Sequence, residues 1–222
     1  MPPRRSPPTP PAVPARPRRT QQQRREETRR RLLDATIQVL VEQGYARLTT
    51  VEVAQRAGVS QGAVFTHFDT KADLLAAAVE HLFPRLIQDY LAGFGGLSSV
   101  QDRISAAVEM LWSIFQRPEL NAAIELYVAA RTDKELQAAL ASMEGPHRDN
   151  LVRVARELFP EAASHPDFEA VVELTIDAIQ GSAIARVARP DHPALERMRQ
   201  VLTRFVRSSF SRGRRPRPLS RT

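Results

Sequence analysis

Five histidines, His67, His81, His147, His165 and His192, are the residues of this 222-residue chain best suited to acid–base or metal chemistry, and their spacing suits neither. No two of them stand at a metal-ligand spacing on one helix, and there is no cysteine to act as nucleophile or thiolate ligand. No glycine-rich phosphate loop, His-Glu-x-x-His or Gly-x-Ser-x-Gly occurs either. The sequence therefore calls for no cofactor, no metal site and no catalytic residue, and argues against an enzyme. A different kind of chemistry is legible between Thr49 and Phe68, in TVEVAQRAGVSQGAVFTHF. Ala54 offers a small side chain where two helices cross steeply, and Gly58 tolerates the left-handed backbone of a turn between them. Val53, Ala57, Val59 and Val64 close a small core, and Ser60 is placed to cap the second helix. That constellation is a helix-turn-helix, the geometry that puts a helix into a DNA groove. An ordinary helical hairpin shares part of the pattern, Ala-x-x-x-Gly-Val with apolar neighbours, but not the whole.

The elements that must hold this motif follow from apolar periodicity and caps. A first helix is predicted from Gln22 to Gln43, with Leu33, Ile37, Leu40 and Val41 on one face and Gly44 as its stop. A second opens on a Thr49-x-x-Glu52 capping box and ends at Gly58. A third runs from Ser60 to His67, and a fourth from Thr70 to Ala92, before Gly93-Phe94-Gly95-Gly96 breaks the chain. Ile104, Val108, Leu111, Trp112 and Phe115 mark a fifth helix. Pro118 starts a sixth, with Leu120, Ile124, Tyr127 and Val128 aligned. The seventh carries Leu136, Leu140, Met143, His147, Leu151, Val154 and Leu158, the eighth spans 167–188 and the ninth 194–211. About nine helices and no alternating strand pattern make the fold all-α.

Composition divides the chain further. Residues 1–21 form a basic, proline-rich arm expected to be disordered, as are residues 212–222. Residues 22–70 are expected to be the helix-turn-helix domain and 71–211 a second, larger helical domain. Of the net charge of +7, the two tails carry five arginines each, whereas residues 72–211 are net acidic. Positive charge gathered at one end suits a protein that presents one face to phosphate. Arginine-rich tails that merely solubilise would look the same. No apolar run is long enough to span a membrane, and the absence of cysteine fits a reducing cytoplasm.

LTTVEVAQRAGVSQGAVFTHFDTKADLL resembles the DNA-binding domain of the TetR family of bacterial transcriptional repressors, a likeness that covers about residues 24–80. The resemblance implies a dimer on double-stranded operator DNA, released when a small effector binds the C-terminal domain. By position it places Thr49 and Thr50 beside a phosphate and Gln61, Gly62, Ala63 and Thr66 on the groove-facing side of the recognition helix. Gln61 suits bidentate bonds to adenine, and the Ala63 and Thr66 methyls suit a thymine methyl. Lys71 resembles the family's phosphate-binding lysine. His67 resembles a phosphate-facing histidine, although a core filler is as good a reading. Phe65 stands where the family usually has tyrosine, which removes one phosphate hydrogen bond, about 1 kcal/mol at most. Repressor and activator are not separated by any residue.

The remaining helices carry the ligand and dimer expectations. Trp112, Phe115, Tyr127, Met143, His147 and Gln180 are candidates for the wall of a pocket that takes a small, largely apolar molecule. Trp112, Phe115 and Tyr127 read more readily as plain core than as pocket wall, and His147 as a satisfied core histidine, with Gln180 a further polar candidate. Leu174, Ala178, Gly181 and Ala185 on the eighth helix, with Leu195, Met198, Leu202 and Phe205 on the ninth, form apolar stripes expected to pair with a second copy. Pro84, inside the fourth helix, removes the N–H that would bond the Glu80 carbonyl and marks a candidate hinge.

Overall fold

The computed structural model describes residues 20–97 and 99–210, so the two arms lie outside the described residues except for Thr20 and Gln21. The helices are α1 (Gln21–Gln43), α2 (Thr50–Ala57), α3 (Gln61–His67), α4 (Lys71–Ala92), α5 (Val100–Ile114), α6 (Pro118–Ala129), α7 (Lys134–Leu158), α8 (Phe168–Ala188) and α9 (Ala194–Ser209). A single 3-10 turn, Tyr45–Arg47, joins α1 to α2, and among the described residues there is no strand. The all-α expectation holds.

Local chemistry explains the boundaries. Thr20 and Gln23 cap α1 reciprocally, a box the sequence analysis did not single out. The box expected at Thr49 is only half formed. Thr49 accepts from the Glu52 N–H, but the Glu52 carboxylate turns instead to Gln43 and Arg56. A complete box occurs at Thr70 and Asp73, opening α4. Gly58 takes the left-handed conformation required at the end of α2, with φ +64°. Ser60 caps α3 by accepting from the Ala63 N–H.

Two faces differ from expectation. On α1 the buried residues are Leu32, Leu33, Ala35, Thr36, Val39 and Leu40, while Val41 is exposed. The reason is that α1 is gripped by α2, α4 and α6 together, and Val41 falls on the side that none of them covers. On α6 the buried residues are Leu120, Ala122, Ala123 and Leu126, while Tyr127 and Val128 are exposed.

Three apolar clusters organise the interior. The first joins α1, α2, α3 and the first half of α4 to Ala122, Ala123 and Leu126 of α6 and Leu136, Leu140 and Met143 of α7. The helix-turn-helix thus has no core of its own; it shares one with the helices that follow. The second cluster lies among α5, α7, α8 and α9. A small third cluster of Leu86, Ile114 and Leu120, with Phe83 and Tyr90 packed against it, lies between them along α4. Pro84 and a second helix-interior proline, Pro146 in α7, are both exposed, where water can bond the carbonyl each leaves without its helical partner.

Gly58 is the most demanding backbone position. An alanine there would be strained by its positive φ and would meet the Arg31 guanidinium, which donates to the carbonyls of Ala57 and Gly58. Gly58→Ala is expected to cost about 1–2 kcal/mol and lower the melting midpoint by about 2–8 °C. Circular dichroism melting tests this, and an unchanged midpoint would contradict it.

Candidate nucleic-acid interface and cavity

Helix α3 is held by one buried side chain, Val64, and backed by Phe68, which leaves the opposite face open. Gln61, Gly62, Phe65 and Thr66 are exposed, Ala63 is half-buried, and Phe65 keeps half of its surface in solvent. The Thr66 hydroxyl donates back to the Gly62 carbonyl at 3.0 Å, so this side chain offers outward chiefly its methyl group. Thr49 is exposed at the N-cap of α2, Thr50 is half-buried at the first turn of α2, and His67 closes α3. Burial pushes the His67 pKa down, and the charges of Arg25 and Arg29 on α1 push it further. The Arg29 guanidinium also lies 5.3 Å from the Phe68 ring centre. Arginines of α1 therefore impose a positive field on the end of α3, a contribution that the motif alone did not show.

Lys71 has a more enclosed position than its expected role suggests. Its ammonium stands 4.8 Å from the centre of the Tyr45 ring, and burial lowers its pKa against the opposing pull of Asp133. Tyr45 is the joint of this region. Its N–H donates to Glu125 at 2.8 Å and its hydroxyl donates to Asp133, the residue that also caps α7 through the Leu136 N–H. The bond to Asp133, followed by burial, pushes the Tyr45 hydroxyl up to about 12. Gly44 allows this approach, since a Cβ there would come within 3.1 Å of the Glu125 carboxylate. Sequence reasoning passed over Tyr45, Glu125 and Asp133 because contacts some 80 residues apart leave no local pattern.

A partly open cavity of about 140 Å³ lies farther along α4, walled by residues of α4, α5, α6, α7, α8 and α9. Its polar lining residues are Tyr90, His147 and Thr175; the rest are aliphatic or phenyl side chains such as Phe115, Phe159 and Phe168. A second space of about 250 Å³ adjoins it, sharing Phe83, Phe115, His147 and Val172, and is rimmed by Tyr127, Glu144, Arg148, Glu173, Asp177 and Gln180. Of the six expected wall residues, Phe115 and His147 line both spaces, and Tyr127 and Gln180 line the outer one. Trp112 and Met143 line neither: Trp112 packs against the second cluster and Met143 is buried in the first. Both follow the apolar period of their helices, but the period does not say whether a neighbour or a void stands opposite. Tyr90 and Arg148 were not anticipated.

The eighth and ninth helices divide the residues expected to pair. Leu174 and Gly181 are exposed, Ala178 and Ala185 half-buried, and Met198 and Phe205 exposed. Leu195 is buried inside its own chain and Leu202 packs against the second cluster, so the heptad-like seam of α9 is split between inside and outside. Ile184, Val187 and Val201 join the exposed apolar residues.

Residues 32–78 match the model of bacterial regulatory proteins of the tetR family, and residues 98–208 match that of the tetracyclin repressor-like C-terminal domain. The chain belongs to the TetR family. It is a DNA-binding transcriptional regulator with an N-terminal helix-turn-helix, and proteins of this family are DNA binders rather than enzymes. An uncharacterised HTH-type transcriptional regulator of Mycobacterium tuberculosis is 38% identical over 175 residues, which is 78% of this chain and 89% of that protein. A crystal structure of a putative TetR-family regulator from Rhodococcus sp. shares the fold with TM-score 0.67 at 22% identity, covering 84% of this chain and 100% of that one. The regulator FadR of Bacillus subtilis, solved in complex with stearoyl-CoA, has the same fold at TM-score 0.61 and 16% identity, over 81% of this chain and 98% of that one. Among the described residues no helix is long and apolar enough to cross a membrane.

His147 gives this region a testable pH dependence. Burial holds its pKa down to about 4; the nearby Glu144 opposes that shift and Arg148 adds to it, with Glu173 and Asp177 of α8 and Tyr127 of α6 on the same rim. In the unfolded chain the ring titrates near about 6.5. Between these values the unfolded state binds the extra proton, so stability falls as pH is lowered from about 6.5 to about 4. His147→Gln is expected to melt with a shallower loss across that window; parallel curves for the two proteins would contradict this.

Proposed function

We propose that this TetR-family regulator is a homodimeric repressor that binds a palindromic operator and releases it when a small, largely apolar molecule enters the cavity. The observation that carries the reading is the open face of α3, with a positive field from α1 at its end. In this reading Gln61 reads a base edge, Gly62 and Ala63 allow close approach, and Phe65 and Thr66 meet apolar base atoms. Thr49, Thr50, His67 and Lys71 hold phosphates, Lys71 by swinging off the Tyr45 ring. Two copies meet through the exposed apolar residues of α8 and α9, Leu174, Gly181, Met198 and Phe205 among them. That pairing sets two α3 helices into successive major grooves, about 34 Å apart. Pro84 is the flexible point of α4 between cavity and reading head. The effector role of the cavity is supported by its apolar walls and by the stearoyl-CoA complex of a protein with this fold.

Fluorescence anisotropy with DNA from upstream of the regulator's own gene, against a scrambled duplex and across a salt series, tests this reading. Two chains per duplex and a clear preference over the scrambled sequence are expected. Gln61→Ala should cost about 1–3 kcal/mol on the operator and little on scrambled DNA. Arg29→Ala should weaken both alike and flatten the salt dependence by about one unit of slope. Equal affinity for the two duplexes, or one chain per duplex, would sink the proposal.

A further inference from the structure

The lining of the inner cavity says more about its occupant than that it is apolar. Its volume of about 140 Å³ is close to the volume of about 150 Å³ of an engineered cavity in another protein that takes up benzene. Aromatic residues, Phe83, Phe115, Phe159, Phe168 and Phe210, stand on several sides of it, which favours the flat faces and edges of a ring.

The polar groups narrow the chemistry. Thr175 donates its hydroxyl proton to the Val171 carbonyl at 2.6 Å, so that proton is committed. The His147 ring lies flat against Phe83, with ring centres 3.3 Å apart and planes within 10°. Tyr90 is different. Its hydroxyl makes no hydrogen bond among the described residues, burial raises its pKa, and it lines the cavity. Tyr90 is half-buried, at the wall of the cavity. With no partner among the described residues, this hydroxyl is free to donate to an acceptor that a ligand brings into the cavity.

Charge is excluded by the same lining. No ionised side chain faces the inner cavity, and an unpaired charge taken out of water there would be heavily penalised. The ionised groups stand at the outer rim and are engaged with one another: Arg148 lies 3.2 Å from Glu144, 3.5 Å from Glu173 and 3.6 Å from Asp177, and Glu144 also accepts from the Tyr127 hydroxyl.

We propose that the cavity takes an uncharged molecule built on a single six-membered ring, carrying one oxygen that accepts a hydrogen bond from the Tyr90 hydroxyl. This rests on the reading of the cavity as the effector site and adds the class of molecule that fits it. Tyr90 lies on α4, the helix whose first turn stands beside the reading head, so an occupant bonded there presses on the element that reaches DNA.

Three probes of nearly equal size separate the possibilities when titrated calorimetrically into the full-length protein: acetophenone, ethylbenzene and benzoate. Acetophenone is expected to bind about tenfold more tightly than ethylbenzene, and benzoate to give no heat of binding. In Tyr90→Phe the advantage of acetophenone over ethylbenzene should vanish while ethylbenzene binds as before, which shows that the variant is folded with its cavity intact. Benzoate binding as tightly as acetophenone, an advantage that survives Tyr90→Phe, or no binding of acetophenone to the wild-type protein would each overturn the inference. Operator affinity measured beside each titration keeps the two readings apart. If acetophenone binds through Tyr90 and operator affinity stays constant, the ligand chemistry stands and the effector role fails. If operator binding is specific and acetophenone is ignored, the ligand chemistry alone fails.

Discussion

Helix α4 has to satisfy two interiors with one rod. Its first two turns, Ala72 to Val79, are buried in the cluster that also holds the helix-turn-helix in place. Its later turns supply Phe83, Leu86, Ile87 and Tyr90 to the wall of the cavity. Because interiors are packed near crystal density, neither end of such a helix moves without repacking its surroundings. In the proposed mechanism, a change in the space beside Tyr90 is passed along this helix to the placement of α3, which is the coupling between two sites that release of DNA requires. His81 of α4, bonded to Asp34 of α1 at 2.9 Å, lies between the two regions and ties the rod to the reading module.

The reading module is fastened a second time, through Tyr45. Glu125 of α6 and Asp133 at the start of α7 both hold this one residue, and Lys71 lies against its ring. Helix α7 then continues to His147, on the boundary between the inner and outer spaces. Two routes, α4 and α7, thus run from the module to the cavity. The expected division of the chain at residue 70 follows sequence pattern, whereas the shared first cluster crosses it.

Much of the fold was legible because its signals are local. Gly58 and Ser60 set the turn, Thr70 and Asp73 set the start of α4, and the helix limits fall within a few residues of those read from periodicity and caps. Exact faces were less legible. Val41 and Val128 fit the apolar period of their helices yet point outward, because the number of neighbouring helices decides which side is covered. The cavity was legible only in kind. A row of apolar residues on one helix looks the same whether it meets a side chain, as Trp112 and Met143 do, or a void, as Phe115 does. Tyr90 had no distinguishing mark in the sequence, since an unpartnered hydroxyl is a property of its surroundings.

The central claim is that filling the cavity and positioning the reading head are linked through α4. The natural chain lacks cysteine, so Gln61→Cys carries one spin label per copy at the start of α3. The distance between the two labels of the proposed dimer, measured by pulsed electron resonance, tests the link most directly. Acetophenone is added at a concentration far above its calorimetric dissociation constant, which fills the site. The account predicts a shift of the distance distribution by several ångström on saturation. A distribution that stays the same with the cavity filled would contradict it.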